Sequence, residues 1–194
     1  IKNPLLVYIE PASSSSSELV TELLMYFSDN LVLSRVEATA LYSGLVVDTK
    51  NFAVQTGVRT FDAAAYLRRS GADPVMVRHL FRTDYETTVA LAKAEARSEF
   101  YEGGLIVSTC PELISNGQVI AAQVADSLLR IENVRMSIVV FQLTEDTVGI
   151  SARSTGELNV QVIMEAFGGG GHQNVAGAQI KGGNVEDIKQ KAIE

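Results

Sequence analysis

The sequence predicts an α/β protein of two domains, on three observations. Helical patterns dominate up to about residue 83, so residues 1–83 are expected to form a first domain. Residues 84–102 are rich in alanine and charge, contain no proline and are followed by two glycines, which is typical of an exposed helix that links two domains. Strand and helix patterns alternate over residues 103–194 and indicate a second domain of α/β or α+β type.

The first domain is predicted to contain a strand and four helices. The strand is "NPLLVYI", whose apolar run suits a buried position. The first helix is "SSSSSELVTELLMYF", because serines make good N-caps and Glu18 falls in the first turn. A second helix in "SRVEATALYSGLVVDTKNF" ends near Asp48, and two more helices in "RTFDAAAYLRRSGADPVMVRHLF" are separated by the helix-breaking "SGADP".

The second domain is predicted to open with a strand, "LIVSTC", and a helix, "NGQVIAAQVADSLLRIE". A hairpin of "MSIVVFQLTE" and "TVGISARS" follows, and then a helix, "NVQVIMEAF". The last elements are a short strand in "AGAQIKGG" and a closing helix, "NVEDIKQKAIE". The run of four glycines lies between the helix "NVQVIMEAF" and this last strand, and it is therefore expected to form a loop that follows a helix.

Composition excludes several classes of protein. The net charge of -7 argues against a broad grip on long duplex nucleic acid, although a small anionic ligand remains compatible if metal ions or local donors offset the acidity. The single cysteine, Cys110, excludes an internal disulfide or a cysteine-cluster metal site, and it is expected to fill apolar space. No apolar run approaches the roughly 20 residues of a membrane helix, so a soluble chain is expected.

The stretch "FGGGGHQNVAGAQI" holds four consecutive glycines and a histidine. Glycines let backbone N–H groups approach an anion closely and accept φ > 0, so the run predicts a phosphate-binding loop. The histidine that follows can donate a further hydrogen bond. A flexible loop with a surface histidine is the alternative.

The stretch "ISARSTGELN" places an arginine between two serines at an expected strand end. A guanidinium fork suits phosphate oxygens, whereas a surface salt bridge is the plain alternative for Arg153. Alternation along a strand sends Ser151 and Arg153 to one face and Ser154 to the other. All three can therefore serve one ligand only if the strand ends there.

Two further residues invite a functional interpretation. Asp48 follows the apolar "LVV" at the end of an element, where metal-binding carboxylates are common, but the residues alone favour a plain cap of the next turn. His79 has Val75, Val77 and Leu80 around it at helical spacing, so it is expected to be partly buried or helix-terminal rather than a ligand.

Together, "GLVVDTKNF" and "ISARSTGELNVQVIMEAFGGGGHQNVAGAQ" resemble the second half of the DHH phosphoesterase family with its DHH-associated C-terminal domain. The segments "NPLLVYIEPASSSSSELVTELL" and "TGVRTFDAAAYLRRSGAD" resemble the bacterial, membrane-anchored cyclic-di-AMP phosphodiesterases of the GdpP type. The resemblance implies the rear part of a DHH metal-binding domain followed by an α/β substrate-binding domain. It implies hydrolysis of cyclic-di-AMP to linear pApA with two Mn²⁺ ions between the domains. The parent protein would lie at the cytoplasmic face of the membrane, and a homodimer is compatible with it.

Carried over residue by residue, the resemblance assigns site residues in both domains. Asp48 matches the carboxylate of the family's last metal-ligand motif and would act as a catalytic metal ligand. The substrate-binding side would comprise Ser151, Arg153, Ser154, Asn159, Gly168, Gly169, Gly170, Gly171 and His172.

The sequence departs from the family at the other metal ligands. It contains no Asp-x-Asp, and neither of its two histidines follows an aspartate, so the Asp-His-His triplet of the family has no counterpart. One carboxylate cannot hold two hard cations. We therefore expect these 194 residues to be a fragment that is inactive alone, with the missing ligands upstream of Ile1.

Other functions of the family remain open. A nuclease that degrades short RNA or single-stranded DNA fits, because short oligonucleotides need few phosphate contacts. A non-catalytic nucleic-acid-binding module, like the related C-terminal domain of alanyl-tRNA synthetases, is a second alternative that the match at Asp48 disfavours. Inorganic pyrophosphatases of the wider family fit less well, since their second domain lacks the glycine-histidine motif.

Overall fold

The computed structural model describes residues 4–5, 7–28 and 30–194. Contacts within the chain divide it into two compact units, Ile1–Arg82 and Thr83–Glu194. No helix in the described part of the chain is long and apolar enough to cross a membrane.

The first unit contains the four expected helices. They are α1 (Ser16–Phe27), α2 (Arg35–Asp48), α3 (Val58–Arg69) and α4 (Pro74–Leu80). Local capping explains where they begin. Ser34 and Glu37 form a reciprocal capping box at α2, and the Asp73 side chain accepts from two backbone N–H groups at the start of α4. Pro74 lies in the first turn of α4, where a backbone N–H has no partner within the helix, so its missing N–H costs no hydrogen bond.

The predicted N-terminal strand is wrong where the structure describes it. Residues 3 and 6 of that segment lie outside the described residues, and residues 4–5 and 7–10 form no strand. Val7 and Ile9 are 61% and 78% exposed. A strand requires a hydrogen-bonded partner strand, and none occurs among the described residues of this unit.

The N-terminus of α1 is held by a buried carboxylate rather than by an apolar contact. Glu18 is 2% exposed, and its oxygens accept hydrogen bonds from Ser13 at 3.1 Å, Ser14 at 2.5 Å and Thr60 of α3 at 2.6 Å. Burial by itself raises the pKa of Glu18, but the hydroxyl donors outweigh it and the pKa lies below its ordinary value. Ser15 caps the same helix through the Glu18 N–H. The serine run therefore caps α1 and also donates hydrogen bonds to the buried carboxylate of Glu18.

The second unit is built on a six-stranded mixed sheet, which confirms the α/β class. The strands are β1 (Glu99–Tyr101), β2 (Leu105–Cys110), β3 (Met136–Thr144), β4 (Thr147–Ser154), β5 (Gly170–His172) and β6 (Val175–Lys181). They lie in the order β1-β2-β3-β4-β6-β5, and only the β2–β3 pair is parallel. A parallel pair needs a crossover, which is supplied by a helix. The helices of this unit are α5 (Tyr85–Ala96), α6 (Gly117–Leu128), α7 (Val160–Ala166) and α8 (Val185–Ile193).

The segment 84–102 differs from the expected exposed linker helix. The helix ends at Ala96, and the chain then enters β1 at the edge of the sheet. Ala94 is fully buried, and its carbonyl accepts a hydrogen bond from the Ser108 hydroxyl of β2. Because α5 packs on α6 and β2, it is part of the second unit.

Alternation along the strands divides the core of the second unit into two layers. Ile106, Val139 and Phe141 face the layer that contains α5 and α6. Val107, Ile138 and Val140 face the opposite layer, which contains α7 and α8. Cys110 lies in the first layer at 4% exposure, as expected for an apolar filler.

Candidate ligand-binding cleft

A cleft of about 660 Å³ lies in the second unit, between α6 and the strands β4, β6 and β5. Helix α6 packs on β2, β3 and β4, so the face of the outer strands beyond it stays accessible. The cleft is lined by Gln118, Ala122, Phe141, Ile150, Ser151, Arg153, Gly168, Gly169, Gly170, Gly171, His172, Val175, Ala176, Gly177, Ala178 and Gln179.

The floor of the cleft carries a row of very small residues. Ser151 of β4 pairs with Gly177 of β6, and Gly177 pairs with Gly170 of β5. Directly opposed residues project to the same face of a sheet, so these three form one line across three strands. With one hydroxyl and no other side chain along it, this line forms a trough.

A second row carries the polar groups that can hold an anion. Arg153 pairs with Val175, and Val175 pairs with His172. Each of these residues is two positions from its neighbour in the trough, so alternation puts the row on the same face. Arg153 and His172, which are 19 positions apart in the sequence, flank the same valine.

The Arg153 guanidinium is held in one orientation. Its Nε donates to Asp126 Oδ1 at 3.2 Å, and its Nη1 donates to Ser151 Oγ at 3.1 Å and to the Ala152 carbonyl at 3.0 Å. The side chain is 11% exposed. Its Nη2 has no acceptor among the described residues, so both of its N–H groups remain for a ligand. The salt bridge that was the alternative role for Arg153 is therefore present, with Asp126 as its partner. It orients the guanidinium and leaves Nη2 able to donate to a ligand.

The first two glycines of the run end α7. Gly168 has φ 74°, and its N–H donates to the Glu165 carbonyl at 2.9 Å, while the Gly169 N–H donates to the Met164 carbonyl at 2.8 Å. This pair of bonds is the Schellman motif, which favours glycine at the left-handed position. Two of the N–H groups expected to surround a phosphate are thus already used by the helix end.

The next glycines belong to β5, so the expected loop is wrong over residues 170–172. Gly171 has φ 152°, and a Cβ there would lie 2.5 Å from the Ala176 Cα. A Cβ at Gly169 would overlap the Gly177 carbonyl of β6. These two positions need glycine because β5 and β6 approach so closely. Gly170 is different, because a Cβ there would meet nothing within 4 Å.

Two expected substrate residues turn out to stabilise local turns. Strand β4 continues through Ser154, which therefore points away from Arg153, and its Oγ accepts from the Gly156 N–H at 3.0 Å. The Asn159 side chain caps α7 by accepting from the Gln161 N–H at 3.1 Å. Neither residue lines the cleft. That Ser154 and Asn159 bind substrate stays a prediction, and the local hydrogen bonds show that both side chains already have backbone donors as partners.

Asp48 is the last residue of α2 in the first unit, and it is exposed. It does not cap the following turn. Thr49 does so, because its hydroxyl accepts from the Phe52 N–H at 2.9 Å and donates to the Leu45 carbonyl at 2.6 Å. In the part of the chain that the structure describes, no three His, Cys, Asp or Glu residues lie close enough to hold a metal ion. The residues present therefore do not fit the expected pair of manganese ions.

His79 lies in the last turn of α4 and is exposed, which confirms the helix-terminal interpretation.

Sequence reasoning missed the polar side chains of the α6 wall and of β6. Gln118 and Ala122 line the cleft from α6, and Gln179 lines it from β6. Gln118, Ala122 and Asp126 are four positions apart and share one helix face. That spacing was the available signal, but only the packing of α6 on β4 makes it relevant to the cleft.

Residues 102–194 match the DHHA1 domain family. This part of the chain is a DHHA1 domain. Over its whole length the chain is 49% identical to the cyclic-di-AMP phosphodiesterase GdpP of Geobacillus thermodenitrificans and 46% identical to the cyclic-di-AMP phosphodiesterase PdeA of Listeria monocytogenes. The resemblance to the DHH phosphoesterases is thereby confirmed. The chain spans 30% and 29% of the length of these two relatives.

The fold around the DHHA1 domain has a solved counterpart. An exopolyphosphatase-related protein from Bacteroides fragilis matches with a TM-score of 0.81 over 97% of this chain and 58% of its own, at 23% identity. At that identity the match establishes the fold alone.

Proposed function

We propose that this chain is the substrate-binding part of a phosphodiesterase that opens cyclic-di-AMP to linear pApA. The observation that carries the proposal is the oriented Arg153 guanidinium beside the trough of the DHHA1 domain. An anion placed there meets a charge-assisted donor, which is about twice as strong as a neutral one. The identity of 46% and 49% to two proteins named for this activity supports the choice of substrate.

Both polar residues of the second row have a role in this proposal. Arg153 donates through Nη2 to a phosphate oxygen, while Asp126 and Ser151 keep the fork in place. His172, which is exposed beside Val175, donates to the same phosphate or to a ribose hydroxyl. The trough leaves room for the sugar, because Ser151, Gly177 and Gly170 fill little of it.

Binding and hydrolysis separate in this proposal. Asp48 is the one residue of the described chain that matches the family's metal-ligand motifs, and a single exposed carboxylate does not hold a hard cation by itself. We therefore propose that the 194-residue chain binds the cyclic dinucleotide and does not hydrolyse it. Turnover of cyclic-di-AMP by the purified chain would contradict this statement.

Calorimetric titration tests the binding proposal directly. The 194-residue chain is titrated with cyclic-di-AMP and, separately, with a short oligoadenylate. Arg153→Ala is expected to weaken cyclic-di-AMP binding by about 1.5 to 3 kcal/mol, or roughly 10- to 150-fold, for the lost charged hydrogen bond.

Arg135→Ala is the matched control. Arg135 is also an arginine of the second unit, but it pairs with Glu157 and does not line the cleft. Its removal should leave the dissociation constant unchanged. Equal effects of the two substitutions would contradict the proposal, and tighter binding of the oligoadenylate would assign the cleft to a nuclease instead.

A further inference from the structure

The cleft has a second polar end that the phosphate contacts do not use. Gln118 of α6 and Gln179 of β6 both line it and are both exposed. Neither side-chain amide has a hydrogen-bond partner among the residues that the structure describes. Each therefore offers a carbonyl acceptor and two N–H donors to a ligand.

The side-chain amides of Gln118 and Gln179 lie at about the same distance from Arg153, as residue spacing along α6 and along β6 shows. Asp126, which contacts Arg153, is eight residues from Gln118, or about 12 Å along a helix. Val175, which pairs with Arg153, is four residues from Gln179, or about 13 Å along a strand.

Packing shows that both amides lie at the same end. Gln179 pairs with Gly149 of β4, and the Phe141 ring occupies the space where a Gly149 side chain would be. A Cβ at Gly117, next to Gln118, would lie 3.8 Å from that same ring. Phe141 thus marks the end of the cleft that both glutamines share.

The middle of the cleft carries no bulky polar group. Ala122 lines the α6 wall between Gln118 and Asp126, and Ser151 and Gly177 lie on the floor between the two ends. The site therefore suits an elongated ligand with an anionic group at one end and a hydrogen-bonding edge about 12 Å away. A nucleotide, with its phosphate at Arg153 and its base toward Phe141, has that form.

We infer that Gln118 and Gln179 recognise the adenine base by its 6-amino group. A primary amide can accept from that amino group and donate to N7, whereas the same edge of guanine or hypoxanthine carries two acceptors, O6 and N7, and leaves the amide carbonyl without a donor. This inference rests on the proposed function, since it takes the phosphate at Arg153 as the anchor. It names the residues that select the base, which the phosphate contacts leave unspecified.

The test compares two ligands that differ at this group. Cyclic-di-AMP and cyclic-di-IMP, in which an oxo group replaces each 6-amino group, are titrated into the 194-residue chain, into the Gln118→Leu and Gln179→Leu variants, and into the double variant that carries both substitutions. The unmodified chain should prefer the adenine compound roughly 10- to 100-fold, and the double variant should lose most of this preference. Gln161→Leu is the control, because Gln161 lies on α7, pairs with Glu165 and does not line the cleft.

The outcomes separate this inference from the proposed function. If the unmodified chain binds both compounds equally, or if the double variant keeps the preference, base recognition by these glutamines is wrong while the cyclic-dinucleotide function stands. If the chain binds neither compound, both proposals fail together. Arg153→Ala should weaken binding of both compounds by the same factor, which distinguishes loss of the anchor from loss of base recognition.

Discussion

Asp126 of α6 accepts a hydrogen bond from the Nε of Arg153 of β4 at 3.2 Å, and this contact joins the α6 wall of the cleft to its floor. The guanidinium uses its Nη1 at the same time for Ser151 and the Ala152 carbonyl. A planar fork can make these contacts and still present Nη2 to a ligand. A lysine ammonium, which is a single point charge on a flexible stem, cannot.

Arg153→Lys is therefore expected to behave as a loss-of-function substitution. It keeps the charge but not the fork, so the dissociation constant for cyclic-di-AMP should rise by roughly 10-fold or more. Calorimetric titration measures this. Full rescue by lysine would mean that charge alone, and not the orientation imposed by Asp126, supports binding.

Gly170→Ala is expected to separate binding from stability. A Cβ at this position meets nothing within 4 Å, and cross-strand pairing with Gly177 directs it into the cleft. The free energy of unfolding should change by less than about 0.5 kcal/mol. Binding of cyclic-di-AMP should weaken roughly 10-fold or more, because the methyl group occupies the trough.

Gly171→Ala is the matched variant with the opposite expectation. Its φ of 152° and the closeness of Val175 and Ala176 leave no room for a side chain. Thermal or urea unfolding should show a loss of about 1 to 3 kcal/mol. If Gly170→Ala destabilised the protein as much as Gly171→Ala, the distinction between an open and a closed glycine position would be incorrect.

Glu18→Gln is expected to weaken the first unit in a pH-dependent way. The pKa of Glu18 lies below its ordinary value of 4.5, so the ionised form contributes stability at neutral pH. This contribution is fully present above the unfolded-state pKa and is lost as the pH falls through the lower folded-state pKa. The difference between the two proteins should be about 1 to 2 kcal/mol at pH 7 and should shrink below about pH 4.5.

Urea unfolding followed by circular dichroism at several pH values measures this difference. Glu37→Gln is the comparison for an exposed carboxylate: hydrogen bonds from Ser34 also lower the pKa of Glu37, but at a solvent-exposed helix cap rather than at a buried site. A difference for Glu18→Gln that stayed constant down to pH 3 would show that the charge of Glu18 is not what stabilises the start of α1.

Cys110 is expected to be unreactive in the folded protein. Burial raises the pKa of its thiol to about 11, and only 4% of the residue is exposed. The thiolate population is then lower than that of a free thiol by on the order of 100-fold. Alkylation at pH 8 should require unfolding, and rapid labelling of the native chain would contradict the assignment of Cys110 as an apolar filler.

Manganese is expected not to stabilise the 194-residue chain. An ion bound at 100 times its dissociation constant would add about 2.7 kcal/mol, which a thermal unfolding experiment detects easily. Stabilisation that disappeared in Asp48→Ala would show that a metal site forms around Asp48 after all.

The features that could be predicted from the sequence are those set within a few residues. Helices α1 to α4 start at serine, glycine or aspartate caps, and the apolar run of β3 and the alternation of apolar residues in β4 are visible in the sequence. Arg153 and His172 were found for the same reason, because each lies in a distinctive local motif. The family resemblance used those same motifs.

The edge strands β1 and β5 could not be predicted. Each has three residues, too few to show a period, and each exists because a longer neighbour supplies hydrogen bonds. The family resemblance assigned Ser154 and Asn159 to the substrate-binding side. The continuation of β4 and the start of α7 turn their side chains to other partners.

By itself the sequence determined the family, the class of fold, the capped helices and the two residues that flank the proposed phosphate position. Only the tertiary structure decided why Gly169 and Gly171 must be glycines, since a side chain at either position would overlap residues of β6. It also brought Gln118 and Gln179 to one end of the cleft. The physical reason is range: caps and periodicity act over about four residues, whereas close strand approach and a shared cleft depend on contacts between residues far apart in the chain.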